Sequence, residues 1–470
     1  MKKIFIMVSL SLLGFACTDD FEALNINKNQ PVSVTPDLLL PSVIFNLADF
    51  SVNQSYGFGD IVSQYAANYE YNDFDIYRWA ADGSFWQLYD YLQDIKDIKI
   101  YGQENSEPNY EAVALILEAY CFSMLTDAYG DVPYTEANQA ENGIISPVYD
   151  SQELIYSGIL EKLVTANDLI NTEEPIQGDI LYKGNMLKWK KFGNSLRLRL
   201  LMRTSNVRDV STELTEIVEN LTKFPIFDST LDDAIYTYSG TTPNLSPYSR
   251  GRNREYGYFI AMPTSHFVNT LKKNDDPRLV EWLDLKANED GTYEYNGVVP
   301  GQNLGDIGRA KDFSARDSSY FYETSKIKSI FITFSEVNFI MAEAVARNLI
   351  SGDAKSYYDA GVTASFDQWG VEMPADFLTG KAAYDENDEE QLFEQKWLAL
   401  YHTGTEAWFD WKRTGKPSFI KAGPGNINNN KVPVRILYPS LEQSVNGNNY
   451  KKASERIGGD NINSRVWWDK

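Results

Sequence analysis

The stretch Asn185-Met-Leu-Lys-Trp-Lys-Lys-Phe-Gly-Asn-Ser-Leu-Arg-Leu-Arg-Leu200 sets the fold class. Asn185 is a good N-cap, and Trp189, Phe192, Leu196 and Leu200 then fall on one stripe of a helix. Working outward, Val337, Ile340, Met341, Ala344 and Val345 recur at i, i+3, i+4, i+7 and i+8, a second amphipathic face. Asn387 followed by Glu390 reads as a capping-box-like start, after which Phe393, Trp397, Leu400 and Tyr401 line one side. The same reasoning predicts helices over about 37–50, 83–99, 108–127, 151–170 and 351–369. The expected fold is therefore mostly α, with long connections. No strict repeat of about 34 residues can be counted off, although helix pairs joined by short turns would suit a tetratricopeptide-like array.

The segments between helices are too long for simple turns. Residues 224–263 contain Thr241-Thr-Pro-Asn-Leu-Ser-Pro-Tyr-Ser-Arg-Gly-Arg-Asn-Arg-Glu-Tyr-Gly-Tyr258. Residues 288–329 are rich in Gly, Tyr and Asp, and residues 421–430 in Gly and Asn. Loops of this length in a compact domain are commonly functional.

At the start of the chain, Lys2 and Lys3 precede an apolar run from Ile4 to Phe15 that is too short for a permanent span and has the layout of a secretory signal. Ala16-Cys17 is the expected lipoprotein cleavage point, with Gly14 where a lipobox usually has Leu and Leu13 one step further out. The expected organisation is a signal over residues 1–16, a lipidated tether over 17–36 beginning at Cys17, and one domain over 37–470. Later apolar runs are read as too short to cross a membrane. With Cys17 lipidated, Cys121 has no disulfide partner, and its apolar helical surroundings make it a buried small hydrophobe.

The chain carries 43 basic and 66 acidic residues, a net charge of −23, and loses two more positive charges with the leader. Such a surface repels phosphate backbones, so no nucleic-acid partner is expected. Its 30 Tyr and 10 Trp supply faces suited to the apolar C–H patches of sugar rings. His266 and His402 are far apart in sequence and not flanked by metal-ligand spacings, which argues against zinc or a His-based triad. Asp385-Glu-Asn-Asp-Glu-Glu390 reads as a solvated helix start rather than a calcium cluster. No metal or cofactor is expected, and a two-carboxylate glycosidase stays open on composition alone.

Several segments in order resemble the SusD/RagB family of Bacteroidetes lipoproteins, in particular its SusD-like starch-binding-associated branch. They are Gly130-Asp-Val-Pro-Tyr-Thr-Glu-Ala137, Trp189 to Leu200, Asp275-Asp-Pro-Arg-Leu279 and Glu336-Val-Asn-Phe-Ile-Met-Ala-Glu-Ala344. Gln395-Lys-Trp-Leu-Ala-Leu400, Glu406-Ala-Trp-Phe-Asp-Trp-Lys-Arg-Thr-Gly415 and Pro433-Val-Arg-Ile-Leu-Tyr-Pro439 complete the set. Thr18-Asp19-Asp20 likewise resembles the acidic signal that sends such lipoproteins to the cell surface. Trp411-Lys412-Arg413 departs from the two Arg that many members carry. The resemblance implies tetratricopeptide-like helix pairs with an irregular, loop-rich ligand-binding part. It implies a binder, not an enzyme, that captures oligosaccharide and passes it to a SusC-like TonB-dependent outer-membrane transporter. The membrane is then met through the lipid anchor only. Some members take peptides instead. The motifs are mostly framework, and Trp189, Trp397, Trp408 and Trp411 are expected in the core.

A sugar site needs aromatic platforms that no helix core has claimed, beside hydrogen-bonding side chains. Two loops qualify. Residues 69–79 offer Tyr71, Tyr77 and Trp79; residues 248–258 offer Tyr248, Tyr256 and Tyr258 with Arg250, Arg252 and Arg254. The Arg residues would suit carboxylates or uronic acids better than a neutral glucan. None of these aromatics lies on a helix stripe, so the fold is expected to tolerate loss of Trp79 or Tyr248.

Overall fold

The expected helices form, with bounds shifted by a few residues, in a computed structural model that describes residues 34–250, 260–319 and 326–470. In chain order they are α1 (Pro36–Gln54), α2 (Leu88–Glu104), α3 (Pro108–Tyr129), α4 (Gln152–Leu169), α5 (Met186–Thr204), α6 (Ser211–Glu219) and α7 (Ser265–Lys273). They continue as α8 (Arg278–Trp282), α9 (Phe334–Ala346), α10 (Ala354–Trp369), α11 (Glu389–Ala399), α12 (Glu406–Thr414), α13 (Ser440–Val445) and α14 (Gly447–Arg456). The ends obey local chemistry. Asn185 accepts from Lys188 N at 3.1 Å to cap α5, and Gly370, at φ +67°, lets the chain leave α10 through the left-handed region. The cap of α11 is Asp388, which accepts from Glu390 N, and not Asn387.

Successive helices pack as pairs: α2 on α3, α3 on α4, α4 on α5, and again α9 on α10 and α10 on α11. This is the tetratricopeptide-like arrangement. Helix α3 is long and apolar enough to cross a membrane, contrary to the sequence expectation, but 94 % of its apolar window is buried. It is the central core helix, and burial against α2, α4 and α5 explains why it is apolar all round. Cys121 sits on it, fully buried, and burial pushes its thiol well above the ordinary range. Trp189, Trp397 and Trp408 are buried and Trp411 is half-buried against the core.

Buried ion pairs tie the pairs of helices together, and the sequence motifs supply them. Arg199 on α5 grips Glu336 on α9 with two bonds of 2.5 and 2.6 Å. Arg413 on α12 grips Glu343 on α9 the same way, at 2.5 and 2.6 Å. Lys396 on α11 completes that group, 2.8 Å from Asp410 and 3.2 Å from Glu343. Burial alone would push the Glu343 carboxyl up, but Arg413 and Lys396 overcome it and hold it down at about 2. Arg278 pairs with Asp276 at 2.6 Å. Arg435 donates to Tyr129 O at 2.6 Å, and Asp131 pairs with Arg456 at 2.6 Å. The departure at Lys412 is a packing matter: its ammonium lies over the rings of Trp408, Phe409 and Trp468 and donates to Asp127 O at 2.6 Å. Burial lowers it to about 7.

Outside the helices, the described residues include short antiparallel ribbons. Strand β1 (Ala66–Asn68) pairs with β5 (Ala261–Pro263), β2 (Val132–Pro133) with β3 (Tyr149–Asp150), and β4 (Ala234–Thr237) with β10 (Lys328–Ile332). Strand β6 (Leu283–Asp284) pairs with β9 (Ala315–Arg316), and β7 (Lys286–Ala287) with β8 (Tyr293–Glu294).

Candidate ligand-binding face

The 69–79 loop takes its start from the β1–β5 ribbon. Antiparallel pairing sets the end of β1 beside the start of β5, and Tyr69 N donates to Ile260 O at 2.7 Å just beyond the pair. The loop leaving β1 therefore starts beside residue 260, and the other nominated loop is described as far as Arg250. Both also rest on one turn of the scaffold. After α1 the chain widens into a π-helical turn, Ser55–Gly59, a feature often found at functional sites. Tyr56 on that turn packs against Tyr248 (ring centroids 4.3 Å apart), and Phe58 against Phe74 and Trp79 (5.1 and 5.3 Å).

The other long loops join the same face. Asn72 Nδ2 donates to Gln302 O at 2.5 Å, Ile427 N to Ile76 O at 3.0 Å, and Gly425 N to Gly301 O at 2.7 Å. The last two segments cross so closely that a Cβ on Gly423 would lie 2.0 Å from Pro300 O, so glycine is required there. Tyr69 packs half-buried on a small apolar cluster of Ala67, Met262 and Val298, with Ile307 and Phe313 beside it.

The nominated aromatics separate on this face. Tyr71 projects outward, 77 % exposed, from backbone at φ +56°. Tyr77, at φ +68°, is buried. Two bulky residues in the left-handed region within seven positions is an expensive arrangement that the surrounding loops hold in place. Trp79 is half-buried, stacked on Phe74 at 4.8 Å with its Nε1 donating to Phe74 O at 2.9 Å. Tyr248 is only 5 % exposed and belongs to the main core. The expectation that the fold ignores Trp79 and Tyr248 is thus corrected: each anchors its loop to the scaffold. Arg250 is exposed but paired with Asp49 at 2.7 Å. Arg252, Arg254, Tyr256, Tyr258 and Cys17 lie outside the described residues.

Sequence reasoning missed Leu304 and Ile427, 53 and 54 % exposed, which stand on the segments bonded to the 69–79 loop. Asn303 and Asn426 beside them brace their own loops, Asn303 Nδ2 donating to Asp306 at 3.2 Å and Asn426 Nδ2 to Gly423 O and Asn430 Oδ1 at 2.7 and 2.9 Å. The only available signal was a lone apolar residue in each of two polar loops, which is too common to single out. Two of the three carboxylates of the 69–79 loop are engaged, and Glu70 is exposed. Asp73 pairs with Arg78 at 2.9 Å, and Asp75 accepts from Asn68 N and Nδ2 at 2.9 and 2.7 Å. Burial pushes Asp75 up to about 7, with the Asn68 bonds opposing. His266 stacks on Phe419, and His402 is buried 3.1 Å from Asp60; burial lowers both. Among the described residues no group of three or more His, Cys, Asp and Glu is placed to hold a metal ion. An exposed aromatic ring such as that of Tyr71 can stack on the apolar face of a neutral ring.

Helix pairs carrying a face of converging loops define the architecture. The chain belongs to the SusD-like family, whose profile, described as starch-binding associating with outer membrane, matches residues 28–439. A crystal structure of a SusD homologue from Bacteroides fragilis superposes with a TM-score of 0.82 at 24 % identity, covering 93 % of this chain and 100 % of that one. A second SusD homologue from Bacteroides fragilis gives 0.81 at 25 % identity with the same coverage. A chitin-binding protein gives 0.80 at 26 % identity, again over 93 % and 100 % of the two chains. Among curated proteins, none matches the chain.

Proposed function

We propose that this protein is a cell-surface lipoprotein, anchored through Cys17, that captures an oligosaccharide on the loop face and delivers it to a SusC-like TonB-dependent transporter. Family membership supports glycan capture, and the chitin-binding relative shows that this fold can hold a polymer of ring sugars. The observation that carries the reading is Tyr71, an aromatic face left exposed at a cost in backbone strain on a loop bonded to the segments at Gln302 and Ile427. Trp79 and Tyr248 contribute by fixing the loops, and Tyr77 by filling the space beneath them. The protein is proposed to bind without catalysis, so a bound oligosaccharide is returned chemically unchanged. Arg250 is already engaged by Asp49, which favours a neutral glycan over a peptide carboxylate at this face.

The test is calorimetry of the mature chain with chito- and malto-oligosaccharides, together with purification from outer membranes in mild detergent. Measurable binding of at least one series, and co-purification of a large barrel protein, are expected. No binding to any neutral oligosaccharide would overturn the glycan reading, and repeated recovery of the lipoprotein alone would overturn the transporter partnership.

A further inference from the structure

The motif Gly130–Ala137 has a role that the loop face does not use. After β2 the chain runs over α2, α3 and α4, and roofs a groove of about 470 Å³. Tyr134, Thr135 and Ala137 line one side; Leu92, Lys96, Lys99 and Ile100 of α2 line another. Phe122 of α3 forms an apolar floor, with Tyr134 standing edge-on to it at 4.7 Å. Lys162 enters from α4.

Three ammonium groups thus converge on one groove, with side chains only 21, 22 and 25 % exposed for Lys96, Lys99 and Lys162. Two carboxylates face them. Glu118 lies 2.7 Å from Lys99 and 3.8 Å from Lys162, and Glu141 pairs with Lys96. Lys96 also donates to Asn138 O at 2.7 Å, and Lys162 to Tyr134 Oη at 2.8 Å. Asp150 accepts from Tyr134 N and from Thr135 N and Oγ1 behind the groove wall, and Glu161 also acts on Tyr134, so the lysines stand out by their convergence on the groove and not by a net positive charge around it. Surface lysines paired only for solubility would be long, exposed and dispersed; these are drawn in beside an aromatic ring and an apolar floor. Glu141 is the weak member, on the loop side of the groove and 57 % exposed.

We infer that the α2–α3–α4 groove is a second binding site, for a carboxylated sugar whose acid group displaces Glu141 from Lys96 while its ring lies against Tyr134. Lys96 and Lys99, one turn apart on α2, hold the carboxylate, and the Thr135 hydroxyl, which donates to Asp150, is left to accept from a sugar hydroxyl. The site is built from scaffold helices, so it stands or falls independently of the loop face.

Calorimetry at low ionic strength with trigalacturonate, maltotriose and sodium sulfate tests this. Trigalacturonate is expected to bind, and maltotriose not to bind at this groove. Lys96→Gln with Lys99→Gln should weaken trigalacturonate binding at least about tenfold, as loss of charge-assisted bonds requires. Glu141→Gln, at an exposed position that leaves the fold alone, should tighten it about three- to tenfold by freeing Lys96. Tyr71→Gly should leave it unchanged. A lysine variant with native affinity would overturn the inference, as would Glu141→Gln binding no better than the native chain. Sulfate binding as tightly as trigalacturonate would reduce the groove to a simple anion site and overturn the assignment to a sugar.

Discussion

Replacing Tyr71 by Gly should separate ligand binding from folding. The side chain is 77 % exposed, so roughly a quarter of a large aromatic surface is covered on folding. Taking about 200 Å² for a tyrosine, some 50 Å² is at stake, about 1 kcal/mol of burial. Against that stands the backbone at φ +56°, where an L side chain costs about 1–2 kcal/mol that glycine does not. Glycine also loses more freedom on folding, about 0.5–1 kcal/mol. These contributions nearly cancel, so the unfolding midpoint in denaturant should stay where it was. Binding has no such compensation. If a sugar ring stacks on Tyr71, the variant should lose about 1–3 kcal/mol, or roughly 5- to 150-fold in Kd. Tyr71→Phe keeps the ring face and should retain most of the affinity. Calorimetry with the best-binding oligosaccharide, alongside a urea titration, reads both quantities. Native affinity in Tyr71→Gly would refute the stacking argument, and a large fall in stability would refute the claim that this ring is not part of the packing.

The anchoring aromatics should behave in the opposite way: Trp79→Ala removes the stack on Phe74 and the edge against Trp408 and should cost about 2–3 kcal/mol of stability in urea titration, less than a fully buried tryptophan would. Glu343→Ala leaves Arg413 and Lys396 to share Asp410 as their remaining buried carboxylate and should cost about 3–5 kcal/mol by the same assay. The Glu343 carboxyl is held at about 2 when folded, below its unfolded value of about 4.3. Its contribution is therefore complete above about pH 4.5 and is lost as pH falls toward 2, worth up to about 3 kcal/mol. Urea midpoints measured from pH 6 down to pH 2.5 should fall more steeply in the native chain than in Glu343→Gln. Finally, Cys17→Ala should abolish lipidation and move the protein from the membrane to the soluble fraction on cell fractionation; unchanged retention would defeat the anchor reading.

Helices were legible because their signals are local. The Trp189–Leu200 stripe, the Asn185 cap and the run of apolar residues in 108–129 each lie within a few turns, where periodicity and capping act. What joins the helices was not legible. Arg199 and Glu336 are 137 positions apart, and Arg413 and Glu343 are 70 apart, and no spacing rule links charges at such separations. The candidate face failed for a related reason. Its two loops were visible as aromatic-rich segments, but their shared footing, Tyr56 and Phe58 under Tyr248, Phe74 and Trp79, is a tertiary contact that no local spacing reports. Which aromatic points outward depends on left-handed backbone at Tyr71 and Tyr77, a property that tyrosine does not advertise.

The segments that resembled a family and the exposed loop face are thus separated by their physics. Each motif places a charge where the scaffold buries it: Asp131, Arg199, Asp276, Arg278, Glu336, Glu343, Lys396, Asp410, Arg413 and Arg435 all sit in the interior. A buried charge is costly to strand, since losing its partner leaves several kcal/mol of unpaid desolvation, so such positions admit few substitutions. The loop face has no equivalent constraint. Its exposed members, Tyr71, Leu304 and Ile427, stand clear of the core and can change with little effect on folding. A scaffold locked by ion pairs can therefore carry many different faces, which fits a chain that superposes closely on a chitin-binding protein at only 26 % identity. On this argument, exchanging the exposed residues of the 69–79 loop should alter which oligosaccharide binds while leaving the urea midpoint in place. Exchanging Glu343 or Arg199 should do the reverse.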